Sequence, residues 1–129
     1  MGNAMGDSVG NSVGKLTTHI LDTARGVPCA GLHIELFVFS SGVRTSVCKR
    51  ISNADGRCDG PLLQGAAFEP GEYELEFHAG DYFASQGIAQ PSPRFVDRVS
   101  LRFGIADAEQ SYHVPLLVSP WSYSTYRGS

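Results

Sequence analysis

Apolar side chains in this sequence recur at every second position over most of its length, a period that belongs to strands and excludes a helical scaffold. Leu32, Ile34, Leu36 and Val38 alternate with His33, Glu35, Phe37 and Phe39. Tyr73, Leu75 and Phe77 alternate with Glu72, Glu74 and Glu76, an acidic face expected to be solvated. Phe95, Asp97, Val99, Leu101, Phe103 and Ile105 alternate with Val96, Arg98, Ser100 and Arg102 as one long strand. Lys15 to Thr23 reads as a strand with Thr17, His19 and Leu21 on one face and Leu16, Thr18 and Ile20 on the other. Near the end, Tyr112, Val114, Leu116 and Val118 share one face, and His113, Pro115 and Leu117 the other. Ser119-Pro120 turns the chain into a last, half-buried strand from Trp121 to Tyr126.

Turn chemistry separates these runs. Asp22 to Pro28 is a turn or loop, Ser40-Ser-Gly42 ends one strand, and Val43 to Ser52 is another strand that stops at Asn53-Ala-Asp-Gly56. Asn, Asp and Gly tolerate the positive φ that tight turns require. Cys58 to Pro70 is expected to be mostly loop, with a short strand near Leu62 or Phe68. Gly80 to Gly87 is the one helical segment, with Asp81 near its start and Gly87 as its stop. Short strands punctuated about every ten residues imply an all-β sandwich. Leu21 beside His19 and Leu117 beside His113 put apolar groups on an outer face, which suggests that another subunit covers it.

The 129 residues fit one domain, residues 15–129, after a disordered tail of residues 1–14 rich in Gly, Ser and Asn. A net charge of -3 argues against nucleic acid as a partner. No apolar run approaches the roughly 18 residues of a membrane span, and no basic and apolar leader opens the chain, so no membrane partner and a cytoplasmic location are expected. Gly6 stands where a myristoylation signal has Ser or Thr. Cys29, Cys48 and Cys58 lack Cys-x-x-Cys spacing and are expected to be free, packed thiols.

Four histidines are available for proton transfer: His19, His33, His78 and His113. His19 and His113 sit in mid-strand among apolar residues, Arg57 follows a tight turn, and the terminus supplies Arg127 and Ser129. Two imidazoles and one permanent cation form a set suited to moving protons near neutral pH while stabilising an oxyanion. The histidines lack the close spacing of a metal motif, no Gly-x-Ser-x-Gly elbow is present, and no glycine-rich loop opens a helix. Neither a metal nor any other cofactor is therefore expected.

Several segments carry a family resemblance: Thr18-His-Ile-Leu-Asp-Thr-Ala-Arg-Gly26, the Asn53-Ala-Asp-Gly-Arg57 turn, Tyr112-His-Val-Pro-Leu-Leu117, Ser119-Pro-Trp-Ser-Tyr-Ser-Thr125 and Tyr126-Arg-Gly-Ser129. From about Lys15 onward the chain resembles the transthyretin-related 5-hydroxyisourate hydrolases of urate degradation. The resemblance implies a transthyretin-like, eight-stranded β-sandwich with one short helix, assembled as a homotetramer, a dimer of dimers with active sites in the channel between the dimers. It implies metal-independent hydrolysis of the small-molecule substrate 5-hydroxyisourate to 2-oxo-4-hydroxy-4-carboxy-5-ureidoimidazoline, a step of purine catabolism. Carried over by motif, the catalytic set is His19, Arg57, His113 and Ser129, with Tyr126, Arg127 and Gly128 completing the substrate site. Many relatives have a further His where this chain has Ser111. The motifs shared with transthyretin itself support only the fold, so the competing reading is a carrier that binds a small molecule in the same channel.

Overall fold

The computed structural model describes residues 13–129, so the tail expected over the first residues falls almost wholly outside the described residues. In chain order the elements are β1 (Lys15–Thr17), β2 (Ile20–Asp22), β3 (Val27–Pro28), β4 (His33–Ser40), β5 (Val43–Ile51), β6 (Leu63–Gln64), a 3-10 turn (Gly65–Ala67), β7 (Gly71–His78), α1 (Ala79–Ser85), β8 (Arg98–Ile105), β9 (Tyr112–His113), β10 (Leu116–Val118) and β11 (Tyr123–Ser124). One layer is an antiparallel sheet in the order β5-β4-β7-β8. Two shorter sheets, β9-β1-β6 and β11-β10-β2-β3, make the other.

These shorter sheets are two halves of one surface. Val114 N–H donates to the Thr17 carbonyl and Leu116 N–H to the His19 carbonyl, both at 2.9 Å, and so carry the parallel pairing of β1 with β9 onward to β2 with β10. The gap has a local cause. Pro115 has no N–H to give, and the Val114 carbonyl accepts from the Thr18 hydroxyl at 2.7 Å. The strand expected over Lys15 to Thr23 is thus broken at Thr18 and His19 while its facing holds. Leu16, Ile20, Leu116 and Val118 point inward at 0% exposure, against Leu36, Leu75 and Phe77 of the facing sheet, also at 0%. Thr17, His19, Leu21, His113 and Leu117 are half-buried on the outer side.

Asp22 ties this layer to the helix. Its buried carboxylate accepts from the N–H groups of Ala24 and Arg25, from Arg25 Nε at 3.0 Å and from the Tyr82 hydroxyl at 3.1 Å. A buried carboxylate persists only when its lone pairs are filled in this way. Helix α1 begins at Ala79, one residue before the expected start, and ends ahead of Gly87, whose φ of 78° closes it.

Three sequence expectations need correction. The row Glu72, Glu74 and Glu76 is not simply solvated: the Glu74 and Glu76 side chains are only 15% and 13% exposed, and both are paired with arginines. Phe95 lies outside the long strand, 77% exposed, because β8 begins at Arg98. The segment from Trp121 to Tyr126 is not half-buried within the chain: only Tyr123–Ser124 pair, and Trp121, Tyr123 and Tyr126 are 59%, 50% and 60% exposed.

Candidate active site

The outer face of the broken layer carries His19 and His113, with Arg57 paired beside the first and Gly128 beside the second. Asn53 builds the first support. Its side-chain oxygen accepts from the N–H groups of Asp55 and Arg57, at 2.9 and 3.1 Å, and its own N–H donates to the Arg57 carbonyl at 2.7 Å. Gly56 completes the turn at φ 75°, and a Cβ there would run into the Ile20 carbonyl oxygen, so the position needs glycine for conformation and for space alike. The turn is thereby pressed against β2, Ile20 N–H donating to the Gly56 carbonyl at 2.8 Å, and Arg57 pairs with His19 in an antiparallel bridge.

His19 is held by the same turn. Its Nε2 lies 2.9 Å from the Asp55 carbonyl oxygen. A carbonyl only accepts, so Nε2 carries the proton and Nδ1 is the free nitrogen of the neutral ring.

His113 is fixed from both sides. Its backbone exchanges two hydrogen bonds with Gly128, at 3.1 and 2.7 Å, and its Nδ1 lies 2.9 Å from the Thr17 hydroxyl across the ladder. A Cβ on Gly128 would come within 3.1 Å of the His113 Cβ, so the bare backbone lets the terminus lie flush against this residue. Burial, then the charges of Arg57 and His19, hold the His113 imidazole below its ordinary value of 6.5. At neutral pH it is an uncharged base beside a fixed cation.

The remaining terminal residues divide. Ser129 is exposed next to Gly128, and Tyr126 is exposed as well. Arg127 turns away from His113: its guanidinium lies 4.2 Å from the centre of the Tyr112 ring and donates to the Gln110 side chain and the Ser111 carbonyl, both at 3.1 Å. It clamps the terminus. Thr17 is the neighbour that the sequence reading left without a role; its place beside His19 on the outward face was the available signal. Among the described residues no group of three or more His, Cys, Asp or Glu side chains is arranged to hold a metal ion. A hollow of about 550 Å³ lined by His33, Glu35, Lys49 and His78 lies on the other sheet, away from this cluster.

Comparison with known proteins bears on the same surface. The HIUase/Transthyretin family profile matches residues 16–128. A relative from Rhizobium meliloti (strain 1021), named 5-hydroxyisourate hydrolase 2, is 58% identical over 116 residues, covering 90% of this chain and 97% of the relative. Among solved structures, an (S)-allantoin synthase superposes with a TM-score of 0.89 at 46% identity, covering 93% of this chain and 45% of that one. Sea bream transthyretin in complex with thyroxine superposes with a TM-score of 0.80 at 25% identity, covering 88% of this chain and 94% of that one. With nearly its whole described length matched by one profile and by a relative of its own size, the chain belongs to the HIUase/transthyretin family.

Proposed function

We propose that this protein is an enzyme that hydrolyses 5-hydroxyisourate to 2-oxo-4-hydroxy-4-carboxy-5-ureidoimidazoline in urate degradation. The observation that carries the reading is the meeting of His19, Arg57 and His113 on one outward face, with the terminal Gly128 against His113. Relatives of high identity named for this activity support it.

His113 takes a proton from a water molecule at Nε2, the nitrogen left over by the Thr17 contact. The resulting hydroxide adds to the cyclic amide carbonyl, and Arg57 stabilises the oxyanion that forms there. The C–N bond of the six-membered ring then breaks, and the proton held by His113 passes to the departing nitrogen. One water is consumed: its hydroxyl ends on the carbonyl carbon, its proton on nitrogen. His19, anchored through Nε2, presents Nδ1 to orient the substrate, and the Ser129 end borders the same space. Arg127 serves the site indirectly, by fixing the terminus on Tyr112.

The finer architecture belongs to the same proposal. Taking β1 with β2 and β9 with β10 as single interrupted strands, and β3 as an arm of the turn after Asp22, gives an eight-stranded sandwich. The cluster lies open on an outer face beside half-buried Leu21 and Leu117, with Trp121 and Tyr123 exposed nearby in sequence, which suits a surface closed by further copies in a homotetramer. Three free thiols suit a cytoplasmic location.

The test is an ultraviolet assay of freshly generated 5-hydroxyisourate, with and without protein, in the presence of a chelator. Acceleration above spontaneous decay is expected. No acceleration from folded protein would overturn the reading in favour of a small-molecule carrier, and retention of a ligand through gel filtration would then be measured.

A further inference from the structure

Thr17 and His113 occupy opposite positions of the parallel β1–β9 ladder, so their side chains leave the sheet on the same outer face. The pairing is locked by the backbone, since Val114 N–H donates to the Thr17 carbonyl on one side and Gly128 exchanges both its bonds with His113 on the other. With its main chain held from two sides, the His113 imidazole keeps only its own torsions, and the 2.9 Å contact between Thr17 Oγ1 and Nδ1 restrains the ring. A hydroxyl can accept from Nδ1–H or donate to a bare Nδ1, and the two arrangements place the mobile proton on different ring nitrogens.

We propose that Thr17 is a positioning residue: its hydroxyl accepts from Nδ1–H of His113 and so keeps Nε2 as the nitrogen that takes up and returns the proton. The arrangement survives the reaction cycle, because the imidazolium formed on Nε2 retains its Nδ1–H for Thr17. The partner that selects a histidine tautomer is commonly a carboxylate or a backbone carbonyl; here it is a hydroxyl, which unlike a carboxylate adds no negative charge that would raise the basicity of the ring. Among the described residues, the charged and titratable groups that act on His113 are Arg57, from the 53–57 turn, and then His19, from the junction of β1 and β2. Both favour the neutral ring, so fixing its tautomer falls to a hydrogen bond.

This role rests on His113 being the base of the proposed hydrolysis, and its test has one arm independent of turnover. In protein labelled with ¹⁵N-histidine, the wild-type His113 ring is expected to show a protonated Nδ1 and an unprotonated Nε2 at neutral pH. Thr17→Val, which keeps the branched shape and removes the hydroxyl, is expected to give a mixture of tautomers, and Thr17→Ser to restore the single form. In the assay, Thr17→Val is expected to lose about tenfold in kcat with KM changed less than about twofold, and Thr17→Ser to recover most of the rate. Unaltered ring shifts in Thr17→Val would overturn the proposal whatever the rate. A Thr17→Ser variant as slow as Thr17→Val would also overturn it, by assigning the loss to packing. If wild-type protein shows no hydrolysis, the functional reading fails, and the ring shifts alone still decide whether Thr17 sets the tautomer.

Discussion

The two outer faces of the molecule both carry charged residues in alternating strands, yet they treat charge in opposite ways. On the β5-β4-β7-β8 sheet, a row of charges is paired internally. Arg44 lies over the Phe37 ring at 3.8 Å and bonds Glu74 at 2.8 Å, and Arg102 lies over Phe39 at 3.7 Å with Glu72 at 3.5 Å. Glu76 is shared by Arg98 and His78, and His78 stacks on His33. On the opposite face, among the described residues, none of the side-chain ion pairs involves His19, Arg57 or His113. The His19 and His113 rings bond a carbonyl and a hydroxyl, both neutral, and Arg57 bonds the Asn53 side chain through its backbone N–H. Charges paired in this way stabilise the sheet and have little left to offer a ligand. An unneutralised cation beside two imidazoles is available to meet charge that develops during a reaction.

The contrast is broken most severely at His113. His113→Asn keeps a similar polar shape and removes the base, and turnover is expected to fall by about 10²- to 10⁴-fold with the circular dichroism spectrum unchanged; a near-normal rate would move proton transfer elsewhere. Next in size is Arg57→Gln, expected to lower kcat by about 10²-fold and to shift the pH profile. The base is lost as pH falls through the His113 pKa, which lies below 6.5 in the wild type. Removing the positive charge of Arg57 lets that pKa rise, so the acid limb should move to higher pH; an unmoved limb would show that Arg57 does not act on His113. The smallest effect is expected on the paired face. Arg44→Gln should leave the rate and its pH profile unchanged and lower the Tm slightly, by a margin that shrinks with added salt, since exposed pairs are screened. A loss of activity there would mean that the two faces are coupled.

Much of the facing is legible in the sequence alone. Period two assigns Tyr112, Val114, Leu116 and Val118 to the core and His113 and Leu117 to the opposite side, and it sets Thr17, His19 and Leu21 together; the structure keeps both assignments. The Asn53 to Gly56 turn was readable because its residues form turns through local bonds of their own. Long-range partners were not readable. Glu74 and Glu76 look solvated in their own strand, and only the assembled sheet brings them Arg98 from adjacent β8 and Arg44 from β5, one strand further across. Phe95 continues the alternation of β8, but pairing with β7 reaches only as far as Arg98 opposite His78. Trp121 to Tyr126 has the composition of a half-buried strand and too few strands beside it in the single chain to cover it.

By itself the sequence determined the strand period, the turns, the family motifs and the identity of the residues with chemistry to offer, because each of these is a property of neighbours in the chain. Tertiary structure decided which of those residues meet. His19 faces Arg57 because Gly56 can press against Ile20, and His113 faces Thr17 and Gly128 because a parallel ladder joins residues 96 positions apart, with the terminus closing on the other side. Such pairings depend on sheet register, which is fixed by burying one face of every strand at once and which no single segment encodes.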